Sequence, residues 1–202
     1  MNLDEIRKTY HRWAPFYNLT HRFSLPKRKQ ARFLLELKPG EKVLDLACGT
    51  GINLSHRRTM VGAGGRVVGF DLSSEMLKHA KKLINKYSWT NVELIEGDAA
   101  NLPFQDASFD KVICSFSLNI IPEYICALEE INRVLVPGGR FVSLEMETHS
   151  GFMPNSFHVC GINANHDVKA AIRKVFKNTE FEEYWMKMVF THPFHKFDVT
   201  SI

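Results

Sequence analysis

From Glu41 onward the chain alternates short, continuous apolar runs with stretches in which apolar residues recur every three or four positions. The runs at 43–47, 67–70, 92–95, 109–116 and 140–145 have the length and continuity of strands buried on both faces, as in parallel sheets. The intervening residues 73–86 predict a helix. Met76, Leu77, Ala80, Leu83 and Ile84 fall on one face and Lys78, Lys81 and Lys82 fall elsewhere, with Ser73 or Ser74 as N-cap. Residues 122–135 predict another helix, with Pro122 in its first turn and Ile125, Leu128, Ile131 and Leu135 inward. Pro137-Gly138-Gly139 then turns the chain into the next strand. Strands alternating with helices imply right-handed crossovers and an α/β, doubly wound, mostly parallel sheet.

The ends of the chain follow a different pattern. Residues 3–18 and 25–38 predict helices, broken near Pro15 and at Pro39-Gly40, placed to form a lid over the ligand edge of the sheet. Residues 151–166 show no period and are expected to be an irregular loop. Residues 180–202 carry aromatic and β-branched residues around His192-Pro193 and predict a closing antiparallel hairpin. The expected organisation is one domain over 1–202: a helical lid segment at 1–40, a core at 41–147, and a C-terminal loop, helix and hairpin at 148–202.

Composition narrows the class. The chain has 202 residues, 45% hydrophobic and 24% charged, the mix of an ordinary globular protein. A net charge of +4 is too weak to name a nucleic-acid partner, and none is expected. Cys48, Cys114, Cys126 and Cys160 form no Cys-x-x-Cys pair, which fits a reducing cytoplasm. Met1-Asn2-Leu3-Asp4-Glu5 does not resemble a secretion signal, and no apolar run approaches the ~18 residues of a bilayer span. A cytoplasmic location is therefore expected. His158, Cys160 and His166, like His192 and His195, do not complete a four-ligand set, so no metal is expected. Arg22, Lys27, Arg28, Lys29 and Arg32 form a basic cluster. It reads as a solvated helix face, with peripheral contact to an anionic lipid surface as the sharper alternative.

The first strand runs directly into Gly49-Thr50-Gly51. Glycines here allow a sharp turn and close approach to a ligand, and the N–H groups of the following helix favour a polar group. Asp71 closes the second strand, 20 residues after Gly51, where a carboxylate can accept bonds from both ribose hydroxyls of a nucleoside. Asp98 follows the third strand and can accept a bond from an adenine amino group. Asp45 lies inside the first strand, where a carboxylate needs a partner; it either steadies the loop or meets a cationic end of the ligand. Each Asp taken singly is a turn or cap residue. Three at successive strand ends point to one nucleoside ligand. A dinucleotide site prefers Gly-x-Gly-x-x-Gly, but Leu54 stands where the third glycine belongs. S-adenosylmethionine, which carries no phosphate, fits this acidic lining better.

These residues resemble a known superfamily. Val43-Leu44-Asp45-Leu46-Ala47-Cys48-Gly49-Thr50-Gly51 is similar to the first motif of class I S-adenosylmethionine-dependent methyltransferases, and Val68-Gly69-Phe70-Asp71-Leu72-Ser73 to the second. Glu96-Gly97-Asp98-Ala99, with Leu102-Pro103-Phe104 and Ser108-Phe109-Asp110, resembles the third region, and Leu135-Val136-Pro137-Gly138-Gly139-Arg140 the element before the fifth strand. Trp13-Ala14-Pro15-Phe16-Tyr17, Ile113-Cys114-Ser115-Phe116-Ser117-Leu118 and Ser156-Phe157-His158-Val159 resemble the ubiquinone/menaquinone C-methyltransferase group within it. The segment after His158 is much shorter than in that group.

The resemblance implies a Rossmann-like seven-stranded sheet with an antiparallel C-terminal strand, and S-adenosyl-L-methionine as cofactor. It implies that Gly49, Thr50 and Gly51 contact the methionine end, Asp71 the ribose, and Asp98 and Ala99 the adenine. Ser115 would line the pocket at the fourth strand, and Tyr17, Asp45, Ala47, Leu72 and Met76 complete the expected cofactor contacts. Ala47 replaces a glycine of many relatives. The expected reaction is direct displacement at the sulfonium methyl by a small-molecule or lipid-like acceptor: a quinone-type carbon, an amine or a hydroxyl. The protein's part is to position that acceptor and exclude water. Glu145, Glu147 and His149 follow the fifth strand as candidate bases, none of them assigned. Asn119-Ile120-Ile121-Pro122 lacks the Asn/Asp-Pro-Pro-aromatic pattern of enzymes that act on DNA bases or glutamine amides. A non-catalytic nucleoside-binding module and, less favoured, a nicotinamide-dependent oxidoreductase are the competing readings.

Overall fold

A computed structural model of the chain describes residues 1–20, 33–146, 163, 166–184 and 188–192. In chain order the elements are α1 (Leu3–Thr20), β1 (Lys42–Leu46), α2 (Leu54–Val61), β2 (Arg66–Asp71), α3 (Ser74–Lys86) and β3 (Val92–Glu96). They continue with β4 (Phe109–Ser115), α4 (Tyr124–Val134), β5 (Leu135–Met146), α5 (Val168–Val175), β6 (Glu180–Tyr184) and β7 (Met188–His192).

The strands form one sheet in the order β3-β2-β1-β4-β5-β7-β6. The first five are mutually parallel, and β7 pairs antiparallel with both β5 and β6. Successive side chains of a strand point to opposite faces, and the two cores divide accordingly. Leu44, Val68, Val112 and Phe141 pack with α4 and α5 on one face. Val43, Val67, Ile113 and Val142 pack with α2 and α3 on the other. Strand order reverses at β1 and β4, so the crevice beyond the carboxyl ends of β1, β2 and β4 is where such a sheet takes its ligand.

Local sequence accounts for the elements that frame this crevice. Ser73 caps α3, its hydroxyl accepting from the Met76 N–H at 3.4 Å, and Met76, Leu77, Ala80 and Ile84 are buried. Asn2 and Glu5 form a capping box at the start of α1: the Asn2 side chain accepts from Glu5 N at 3.0 Å and the Glu5 carboxylate from Asn2 N at 2.8 Å.

Several expectations are corrected. α1 runs through Pro15 instead of breaking there. The missing N–H costs one backbone hydrogen bond, and buried Ile6 and Ala14 hold the helix against the body of the protein. β5 begins at Leu135, before Pro137-Gly138-Gly139. Leu135 pairs with Phe109, and pairing resumes only at Arg140 with Lys111, so that tripeptide is an irregularity within the strand. Within the segment expected to form a hairpin, β6 and β7 pair antiparallel from Glu180 with His192 to Tyr184 with Met188. The helix expected at 25–38 lies outside the described residues up to 32, and of its remainder only 33–34 are helical. The loop expected at 151–166 lies outside them too, apart from Asn163 and His166.

Candidate functional site

The turn after β1 is built around one carboxylate. Gly49 N donates to Asp71 Oδ2 at 2.7 Å and Ser73 N donates to Asp71 Oδ1 at 2.9 Å, so Asp71 ties the β1 turn to the β2 turn. Ala47, Gly49 and Gly51 all have positive φ (54°, 58° and 77°), which wraps the backbone tightly there. Burial raises Asp71 from 3.8 to about 6, outweighing the lowering effect of the bonds from Ser73 and Gly49.

α1 closes over this turn. A Cβ on Gly49 would meet Tyr17 Cε1 at 3.3 Å, so the glycine admits the tyrosine ring. The Thr50 hydroxyl donates to Asn18 Oδ1 at 2.5 Å, and Tyr10 stands edge-on to Tyr17 with ring centroids 6.3 Å apart.

Between α1 and the strand ends lies an open cavity whose empty space, counted out into solvent, is about 660 Å³. Its floor carries Ala47, Gly49, Asp71, Leu72 and Met76. Asp98 and Ala99 line the β3 side, where Asp98 Oδ1 accepts from Ala100 N at 3.0 Å. Leu3, Ile6, Arg7, Tyr10 and Tyr17 form the lid side. Ser117, Ile120, Ile121 and Pro122, after β4, form the remaining wall.

The expected site residues thus separate into two groups. Tyr17, Ala47, Gly49, Asp71, Leu72, Met76, Asp98 and Ala99 line the cavity. Asp45, Thr50, Gly51 and Ser115 are not part of its lining. Asp45 is buried and ion-paired with equally buried Arg57 of α2. Thr50 turns its hydroxyl to Asn18. Gly51 faces α3, where a Cβ would meet Ala80 Cβ at 2.9 Å. Ser115 is the last residue of β4, Phe116 follows with φ 61°, and Ser117 lines the cavity instead.

Arg57, Ser117 and the lid residues Leu3, Ile6 and Arg7 went unassigned from sequence. The spacing of 3, 6, 7, 10 and 17 marks one helical face and is the signal that could have found the lid. Arg57 sits in an ordinary polar stretch that carries no such signal.

Among the candidate bases, Glu145 is described and is buried at the end of β5. Its Oε1 accepts from Leu118 N at 3.2 Å, Ser117 N at 3.4 Å and the Ser143 hydroxyl at 2.9 Å. Burial pushes it up to about 7 against those hydrogen bonds. Glu147, His149, His158, Cys160, His195 and the basic cluster at Arg22, Lys27, Arg28, Lys29 and Arg32 lie outside the described residues. Among the described residues no group of three His, Cys, Asp or Glu could hold a metal ion, and no helix is long and apolar enough to cross a membrane.

Comparison with known proteins places this geometry. Solved structures that the fold resembles include a SAM-dependent methyltransferase from Aquifex aeolicus (TM-score 0.67, 23% identity, 85% of this chain and 89% of that one). Another is the Haemonchus contortus phosphoethanolamine N-methyltransferase 2, solved with phosphomonomethylethanolamine and S-adenosylhomocysteine (TM-score 0.65, 25% identity, 76% and 38%). In sequence the chain is similar to the demethylmenaquinone methyltransferases of Staphylococcus carnosus (43% identity over 118 residues, 58% of this chain and 48% of that one) and Bacillus cereus (40%, 58% and 50%). The chain thus spans about half the length of the curated relatives it matches. The sequence model of the ubiE/COQ5 methyltransferase family matches residues 7–188. An α/β Rossmann-like core with a parallel sheet, an acid-lined crevice at the switch point and a match over most of the chain agree: the protein belongs to the ubiE/COQ5 methyltransferase family.

Proposed function

We propose that this chain transfers the methyl group of S-adenosylmethionine to a ring carbon of a reduced quinone. The observation that carries the reading is the single cavity running from Asp71 and Asp98 to the apolar wall at 117–122 under the Tyr17 lid. Family membership and the demethylmenaquinone methyltransferases among the similar proteins support the acceptor class.

The residues present suit the cofactor. Asp71 has its carboxylate at the floor, with backbone bonds from Gly49, Ser73 and Leu72 and lone pairs left for ribose hydroxyls. Asp98 sits on the β3 side to accept from adenine, between Gly97 and Ala99. Arg7 is the only cation among the described lining residues and pairs with Asp4 at 3.8 Å, so the cavity suits a ligand without phosphates. When bound, the cofactor supplies an electrophilic methyl on a sulfonium. Asp71 and Asp98 fix the nucleoside. The Tyr17 ring and the Thr50–Asn18 bond close α1 over the reacting end. Ile120, Ile121 and Pro122 offer an apolar surface to a quinone ring and exclude water, which favours an acceptor carbon over a charged amine.

Calorimetry with S-adenosylhomocysteine and NAD, followed by turnover with reduced naphthoquinone and phosphoethanolamine as acceptors, tests this. Binding of S-adenosylhomocysteine with methylation of the naphthoquinone is expected. Binding without turnover of either acceptor would favour a non-catalytic nucleoside-binding module, and binding of NAD alone would overturn the cofactor assignment.

A further inference from the structure

We infer that Glu145 is a positioning residue for the acceptor-facing wall: its carboxylate sets the backbone of Ser117 and Leu118, and through it the shape of the cavity beyond β4. This rests on the methyl-transfer reading of the same site.

Glu145 stands one residue past the last β4–β5 pair, Ser115 with Leu144, at the carboxyl end of the sheet. Its Oε1 gathers Ser117 N, Leu118 N and the Ser143 hydroxyl. Ser117 opens the cavity wall, and Ile120 and Ile121 both donate their N–H to Ser117 O, at 2.9 and 3.0 Å. The whole 117–122 wall therefore hangs from a turn whose first two amides end on Glu145. The strained φ of 61° at Phe116, immediately before that turn, shows that the chain is forced into this path.

A purely structural role accounts poorly for the other half of the side chain. Among the described residues Glu145 Oε2 is buried without a hydrogen-bond partner, an arrangement that disfavours the ionised form beyond what the backbone bonds from Ser117, Leu118 and Asn119 return. Among the described residues the cation of this region is Arg57, which also acts on Cys114 and is ion-paired with Asp45. Cys114 on β4 faces Glu145 as a thiol held well above its usual range by burial first and by Glu145 second. In the sheet register Glu145 pairs with Val189 of β7. From the segment before α5, His166 brings Nδ1 to 3.4 Å from Leu118 O, and burial lowers its basicity. Glu145 is therefore the group on this wall whose charge changes in the neutral range. The ionised carboxylate grips the two amides more strongly than the protonated acid.

The test is amide hydrogen exchange of Ser117 and Leu118 between pH 5.5 and 8.5, corrected for intrinsic rates, in wild type and Glu145→Gln. For local openings that break the two amide bonds and leave Glu145 buried, wild-type protection is expected to rise roughly fivefold or more through neutral pH even as global stability falls, with a flat profile in the variant. S-adenosylhomocysteine affinity should stay within about twofold in both, since Glu145 is not in the cavity lining. The kcat for methylation of reduced naphthoquinone should lose its acid limb in Glu145→Gln. A flat wild-type profile, which needs no variant to fold, would overturn the inference. So would a rise that persists in Glu145→Gln, which would assign the titration to another group. Failure of wild type to bind S-adenosylhomocysteine would instead strike at the methyl-transfer reading and leave the exchange result standing.

Discussion

Asp71 reaches back from β2 to accept the Gly49 N–H at 2.7 Å, so the carboxylate that lines the floor also holds the turn around it. Asp71→Ala removes both roles at once. The expected result is a loss of S-adenosylhomocysteine affinity of about 10- to 100-fold, the range for deleting a charge-assisted hydrogen-bond acceptor. Asp71→Asn keeps one acceptor oxygen but sets an NH2 against one of the two backbone donors, and should fall between. Titration calorimetry measures both; wild-type affinity in Asp71→Ala would remove Asp71 from the site.

Ala47 occupies the left-handed region at φ 54°. An L-residue with a Cβ is strained there by about 1–2 kcal/mol relative to a favourable conformation, and glycine is not. Ala47→Gly should therefore raise the urea unfolding free energy by about 0.5–1 kcal/mol after the entropic cost of glycine is deducted, with cofactor affinity retained. Ala47→Val should destabilise, since a β-branched residue tolerates that conformation worst. A destabilised Ala47→Gly protein would show that the turn tolerates its alanine without strain.

Much of the fold was legible because the strands are continuous apolar runs and because Ser73 and the Met76, Leu77, Ala80, Ile84 face leave helical signatures. Pro15 and Pro137 misled for a shared reason: proline reports a local preference, and packing of Ile6 and Ala14, or pairing of Leu135 with Phe109, overrides it. The Asp71 and Asp98 side of the cavity was readable, since their positions follow from strand ends. The wall at 117–122 was not. Ser117 enters the cavity only because Phe116 adopts a positive φ that no pattern of hydrophobicity announces. The pairing of Asp45 with Arg57 was likewise hidden, because Arg57 lies on α2 with no sequence signal linking them.

That pairing makes a prediction of its own. Asp45 and Arg57 are each 2% exposed, so removing one leaves a charge buried without compensation. Arg57→Met should cost about 3–5 kcal/mol in urea unfolding and weaken S-adenosylhomocysteine binding through the displaced turn. Asp45→Asn combined with Arg57→Met removes both charges and should recover at least half of that loss. Additive losses in the double-mutant cycle would mean that the two side chains act independently.

The two buried carboxyls also set a pH dependence of stability. Asp71 rises from 3.8 to about 6 and Glu145 from 4.5 to about 7, both chiefly by burial. In each case the folded state holds its proton at a pH where the unfolded chain has released it. The stability each contributes is therefore complete below about 4 and is lost as pH rises through about 6 and about 7. For Glu145 the difference corresponds to about 3 kcal/mol. Glu145→Gln cannot release a proton, so its urea unfolding free energy should gain on that of wild type by about 2–3 kcal/mol between pH 5 and pH 8. The midpoint of that gain should fall in the interval between the ordinary and raised values, 4.5 and about 7. A wild-type-to-variant difference that is constant across this range would show that Glu145 ionises in the folded protein as it does in the unfolded chain. A difference that moves the opposite way would mean that a cation holds its charge.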